Sequence, residues 1–172
     1  NVLELAVDVS EWRGKVIKVG EREFVVGDEM IENVGRYVEY VRALGGQLYV
    51  EQRLPISQLT NEPGAHGTSD AVVILNDELV IVDLKYGMGV EVDAKDNEQL
   101  QIYALAALDN FWFLSEFQRV RMVIVQPRRG HVSEWVSSIA DMENFRARIK
   151  PAAKVAPGAK QCRWCVKKAT CE

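Results

Sequence analysis

Residues 69–75 (SDAVVIL) and 78–85 (ELVIVDLK) are two runs rich in β-branched side chains, joined only by Asn76-Asp77. Valine and isoleucine stiffen the backbone toward extended structure, and Asn-Asp between such runs is the mark of a tight antiparallel hairpin. Both runs are apolar enough to be central strands of a sheet.

The turn length sets a register. With a two-residue loop Leu75 lies opposite Glu78, and counting outward brings Asp70 opposite Asp83. Directly opposed residues point to one face with their Cβ atoms about 5 Å apart, and Lys85, two residues beyond Asp83, projects to that face as well. Like charges so close repel unless something positive lies between them, and oxygen ligands in this number suit Mg²⁺ or Mn²⁺. Glu51, on the strand expected before the hairpin, is a candidate third acid. Such a centre would activate water and offset charge on a phosphoryl oxygen, with Lys85 orienting the water or sharing that charge, which points to phosphodiester hydrolysis. The spacing leaves a plainer alternative open: Asp70 and Asp83 punctuate strand ends, and Lys85 pairs with one of them. A three-residue loop would place Asp70 opposite Leu84 and undo the convergence.

Elsewhere the periodicity predicts a helix capped by Asp28, with Met30, Val34, Val38, Val41 and Leu44 recurring every three or four residues and Gly45-Gly46 ending it. A strand is expected from Gln47 to Gln52, before Pro55, and a loop from Leu59 to Gly67. A second helix is expected from about Asp96 to Phe113, with Leu100, Tyr103, Ala104, Ala107 and Phe111 along one side. A strand at Val120 to Gln126 and a short helix at Asp141 to Ile149 follow. The order is that of a mixed α/β or α+β fold with a small central mixed sheet flanked by helices. The chain divides into a core of residues 1–150 and a cysteine-rich tail of residues 151–172.

At 172 residues the chain fits one domain, and no run approaches the roughly twenty apolar residues of a membrane span. Nothing at the start resembles an export signal, so a cytoplasmic location is expected. The formal charge of −4 argues against a broadly basic nucleic-acid coat, so phosphate binding would be local. Candidates are Lys95, Arg128-Arg129, and Arg163, Lys167 and Lys168, with Trp164 a candidate for base stacking. The three cysteines, Cys162, Cys165 and Cys171, are clustered near the end, which suits metal binding better than a disulfide framework. His66, expected in a loop, is a candidate contact to a metal or a phosphate. No P-loop, GxGxxG or Ser-His-Asp set is present.

Three ordered stretches, Gly67-Thr68-Ser69-Asp70, Asp83-Leu84-Lys85 and Gln99-Leu100-Gln101-Ile102-Tyr103, resemble the G-x-x-D, D-x-K and Q-x-x-x-Y motifs of the RecB-like branch of the PD-(D/E)XK nuclease superfamily. The resemblance spans roughly residues 28 to 172, and the wording is close to a phage and prophage nuclease family within that branch. It implies a restriction-endonuclease-like core and a metal-dependent DNase, with Asp70, Asp83 and the Leu84 carbonyl as ligands and Lys85 as the catalytic lysine. Gln99 and Tyr103 would steady the site or contact DNA. The implied activity is an exonuclease that processes DNA ends in recombination, in the bacterial host cytoplasm if phage-encoded, alongside an annealing protein or helicase.

The C-x₂-C-x₅-C spacing of the tail resembles iron–sulfur members of the branch, in which an upstream fourth cysteine completes a [4Fe–4S] cluster. That cysteine and the N-terminal histidine ligand of many relatives are absent here. Since the chain begins at Asn1, a truncated N-terminus is the expectation that explains both. Zn²⁺ held by the three cysteines and a histidine such as His131 is the alternative. Two rivals to the nuclease reading are a noncatalytic DNA-binding or scaffold module that keeps the fold and the cysteine staple, and a protein-interaction domain with a zinc tail.

Overall fold

The computed structural model describes residue 3 and residues 7–152. In chain order these form a hairpin of β1 (Val16–Val19) and β2 (Arg22–Val25), α1 (Asp28–Ala43), β3 (Gln47–Pro55), the single turn α2 (Ser57–Thr60), β4 (His66–Ile74), β5 (Glu78–Leu84), α3 (Glu98–Phe111), β6 (Arg119–Gln126), β7 (His131–Ser138) and α4 (Ile139–Ala152).

The expected hairpin is present. Ile74 pairs with Leu79 and Ala71 with Val82, and the Leu75 amide donates to the Glu78 carbonyl at 2.9 Å, so Asn76 and Asp77 alone make the turn. The sheet order is β3-β4-β5-β6-β7. Its neighbours are antiparallel except for β5 and β6, which run parallel because α3 carries the chain back between them. The fold is mixed α/β, with helices on both faces of a five-stranded mixed sheet. β5 lies at its centre, and Leu79, Val80, Ile81 and Val82 are fully buried. That is why its sequence reads as a continuous apolar run rather than an alternating one.

One face packs Val72, Leu79, Ile81, Met122 and Ile124 against α3, α4 and Leu59 of α2. The other packs Val73, Val80, Val82, Val123 and Val125 against Tyr37, Val38 and Val41 of α1. The predicted apolar stripe of α3 is correct, and the Tyr49 ring of β3 meets Phe111 at its end with centroids 4.5 Å apart. No helix among the described residues is long and apolar enough to cross a membrane.

Several local expectations need correction. Asp28 does not cap α1; it is the first helical residue after Gly27, and its carboxylate pairs with Arg13 beside the positive end of the helix dipole. α3 begins after Asn97 rather than at about Asp96, and the Asn97 side chain caps it by accepting from the Leu100 amide at 3.2 Å. Residues 59–67 are not all loop, since α2 ends at Thr60 and β4 begins at His66. Gly45-Gly46 does end α1, and Gly46 is obligatory there: its φ is +74°, and a Cβ would stand 2.4 Å from the Ile74 carbonyl oxygen. The β1–β2 hairpin and β7 carry no signal strong enough to have been predicted.

At the turn end of β5 the Glu78 carboxylate is 2% exposed and bridges two arginines, Arg121 at 2.6 Å and Arg119 at 3.1 Å. Burial pushes its pKa up, but the hydrogen bonds and charges of Arg121 and Arg119 outweigh this and hold it below the ordinary value of 4.5. A depressed carboxyl pKa contributes stability above the unfolded value and loses it as the pH falls through the folded one. Glu78→Ala is expected to cost about 2 kcal/mol at pH 7, modest for a buried carboxylate because both guanidinium groups keep access to water. In denaturant titrations the gap to wild type should narrow steadily below pH 4.5.

Candidate functional site

The register counted from the turn is kept through the Ala71–Val82 pair, where the paired ladder of β4 and β5 ends. The next residues on the two strands are Asp70 and Asp83. Asp70 Oδ2 accepts a hydrogen bond from the Leu84 amide at 2.7 Å, which ties its carboxyl to β5 one residue from Asp83. Asp83 is 6% exposed. Lys85 Nζ donates to Asp83 Oδ1 at 3.1 Å and stands 2.9 Å from Oδ2. The approach to Oδ2 is close but poorly aligned, so that oxygen feels the charge without receiving a hydrogen bond. Lys85 thus lies beside Asp83, as its i, i+2 spacing requires.

Glu51 sits across from Asp70 on the other side, between the pairs Val50–Ala71 and Gln52–Ser69. Its φ of +49° is left-handed, which interrupts the ladder at that point and costs a non-glycine residue about 1 kcal/mol. Glu51 is exposed, and among the described residues no three His, Cys, Asp or Glu side chains stand close enough to hold one ion. The acids gathered at this end of the hairpin are therefore Asp70 and Asp83, with Glu51 acting through its charge.

That charge is felt. Burial raises the Asp70 pKa, the Leu84 amide opposes the rise, Asp83 and Glu51 add to it, and Lys85 opposes it. Three carboxylates facing one ammonium leave a net negative, partly buried cluster, and two of its oxygens belong to the carboxyl pair that a hard divalent cation prefers. The Asp83 Oδ2 without a hydrogen bond is the atom such an ion would satisfy.

Tyr37 of α1 is a member of this neighbourhood that the sequence did not single out. Burial first, then the charges of Asp70, Glu51 and Asp83, hold its pKa far above the usual phenol value, so it stays protonated. The only signal available was a phenol one turn from Val34 and Val41 on the apolar stripe, where it reads as core.

Gln99 and Tyr103 share a face of α3, and Gln99 Nε2 donates to the Tyr103 hydroxyl at 3.3 Å. The Tyr103 ring lies against Gly67, where a Cβ would come 2.3 Å from Cε1. Tyr103 therefore reaches β4 at Gly67, about 10 Å before Asp70 along the strand. The glycine of the G-x-x-D stretch has a physical purpose, since it admits the ring.

The outlying candidates are dispersed. His66 opens β4 rather than lying in a loop, and its Nδ1 is 3.2 Å from the Arg53 guanidinium. His131 lies on β7, engaged by the Val92 carbonyl at 3.3 Å and by Glu91 at 3.6 Å. Arg128 is paired with Glu29 at 2.9 Å and stacked over Tyr86, and Arg129 donates to the Gly89 carbonyl at 2.9 Å. Lys95 is exposed. Cys162, Arg163, Trp164, Cys165, Lys167, Lys168 and Cys171 lie outside the described residues. Buried Gln126 was also missed; it holds the loop after β5 by accepting from the Val92 amide at 2.8 Å and donating to the Val90 carbonyl at 3.1 Å.

Two outcomes follow from this geometry. Gly67→Ala should destabilise the fold by about 1–3 kcal/mol through the Tyr103 clash, and in a double-mutant cycle with Tyr103→Ala most of that cost should disappear. A raised carboxyl pKa opposes stability above the folded value, so Asp70→Asn should raise the melting temperature at pH 7 by roughly 2 °C. The advantage should close on acidification, as wild-type Asp70 takes up its proton.

Among solved structures, one described as "Crystal structure of SSO0001" is 13% identical, with a TM-score of 0.36, and the similarity covers 81% of this chain and 65% of that one, less than two thirds of its length. The family model described as "Protein of unknown function (DUF2800)" matches residues 3–172, and the chain belongs to that family.

Proposed function

We propose that this protein is a divalent-cation-dependent DNA nuclease of the PD-(D/E)XK type, RecB-like branch, an exonuclease that processes DNA ends in phage or prophage recombination. The observation that supports the reading is the under-compensated acid cluster: Asp70 and Asp83 as the next residues after the last paired rung of a buried hairpin, the charge of Asp83 raising the Asp70 pKa, with Lys85 beside Asp83.

Asp70, Asp83 and the Leu84 carbonyl would hold Mg²⁺ or Mn²⁺. When bound, the cation supplies positive charge against the phosphate and makes water acidic enough to attack near neutral pH. Lys85 brings an ammonium group with three N–H donors beside Asp83, where it would orient the attacking water or share the charge that builds on a phosphoryl oxygen. Attack forms one P–O bond to water and breaks one ester P–O bond. The water proton passes to a carboxylate or solvent, and the leaving alkoxide takes up a proton. Gln99 and Tyr103 would steady β4 through Gly67 or contact DNA. The tail cysteines Cys162, Cys165 and Cys171 belong to the same reading as a [4Fe–4S] or Zn²⁺ staple, and an annealing protein or helicase as its partner in the host cytoplasm.

The rival reading is a noncatalytic DNA-binding or scaffold module, for which the same acids would be kept without cleavage. The test is hydrolysis of end-labelled linear single- and double-stranded DNA with Mg²⁺ or Mn²⁺. Wild type should release nucleotides, and Asp83→Ala should lose at least about 100-fold in rate. Undiminished cleavage by Asp83→Ala, or none by wild type with either ion, would remove the proposal.

A further inference from the structure

The inward face of α1 carries one group that packing does not explain. Tyr37 is 5% exposed and sits in the apolar cluster that contains Ala71 and Val82, the pair immediately inside Asp70 and Asp83. Its hydroxyl has no hydrogen-bond partner. Phenylalanine would fill the same space without burying an unsatisfied hydroxyl, which is destabilising. A buried polar atom without a partner calls for an explanation, and the nearby carboxylates supply one. Burial first, and then the charges of Asp70, Glu51 and Asp83, keep the phenol in its protonated, donating form.

From this geometry we infer that the Tyr37 hydroxyl is a positioning group of the site, donating a hydrogen bond to a water held between the Asp70 and Asp83 carboxylates. α1 would then contribute to the chemistry as well as to the core, and the water would be fixed from the helix side while Lys85 acts from the strand side. A neutral donor suits this place better than a second lysine, because it orients an oxygen without competing with a cation for the carboxylates.

The inference rests on the assignment of Asp70 and Asp83 as the reacting centre, and the experiment separates the two. Wild type, Tyr37→Phe and Asp83→Ala are compared by melting temperature without metal, by Mn²⁺ binding followed through the paramagnetic resonance of the free ion, and by kcat and KM for linear DNA. Tyr37→Phe should melt at or above the wild-type temperature, bind Mn²⁺ about fivefold more weakly and lose about tenfold in kcat with KM unchanged. Wild-type Mn²⁺ affinity together with wild-type kcat would overturn the inference and leave the nuclease reading intact. A melting temperature well below wild type would also overturn it, since the hydroxyl would then be holding the fold. If wild type binds Mn²⁺ through Asp83 but cleaves no DNA, the nuclease reading fails, and the Mn²⁺ affinity of Tyr37→Phe alone decides the role of Tyr37. If wild type shows no Asp83-dependent Mn²⁺ binding, both ideas are removed.

Discussion

The arrangement of this site depends on the number of residues in one turn. With Asn76 and Asp77 alone between β4 and β5, every pair from Ile74–Leu79 to Ala71–Val82 is fixed, and Asp70 and Asp83 follow as the next residues, five steps from Leu75 and Glu78. One added residue would slide a whole strand against its partner and turn an acid away from its neighbour. The same hairpin fixes β3 on one side and β6 on the other, so the register that aligns the acids also fixes the packing faces for α1 and α3. Fold and candidate chemistry here share a single constraint.

β5 shows how differently one strand treats two buried acids. At its first residue Glu78 is met by two guanidinium groups, and its charge is more than balanced. Near its last residue Asp83 is met by one ammonium and two further carboxylates. The first arrangement is what a structural acid needs when water is removed. The second leaves negative charge over in a partly buried place, a local conflict of the kind that folded proteins retain where binding or catalysis compensates for it.

What could be read from the sequence was what local rules determine. The hairpin and its register as far as Ala71 and Val82 followed from β-branching and a two-residue gap, and α1 and α3 from apolar periodicity. β7 escaped because its alternation is disguised: inward positions carry His131, Ser133, Trp135 and Ser137, while Val132 and Val136 face outward and are exposed. Asp28 misled because a good capping residue also serves in the first turn, where its charge favours the dipole. Tyr37, Gln126 and the ring of Tyr103 against Gly67 acquire their roles from residues far away in sequence, and the left-handed backbone of Glu51 has no signature at all in a strand-like stretch. Sequence patterns report the periods of single elements; they do not report what lies across a packed interface.

The hairpin ladder ends at Ala71 and Val82, one rung short of the acids. A hairpin zips from its turn, and its open end is the part that frays first. Here mutual repulsion adds to that tendency, against a tether from the Leu84 amide and the ammonium of Lys85. From outside, β3 holds β4 on past Ser69 and β6 holds β5 at Asp83 and Leu84, so that any counter-ion entering the mouth would act as a latch between two strands whose own ladder has stopped.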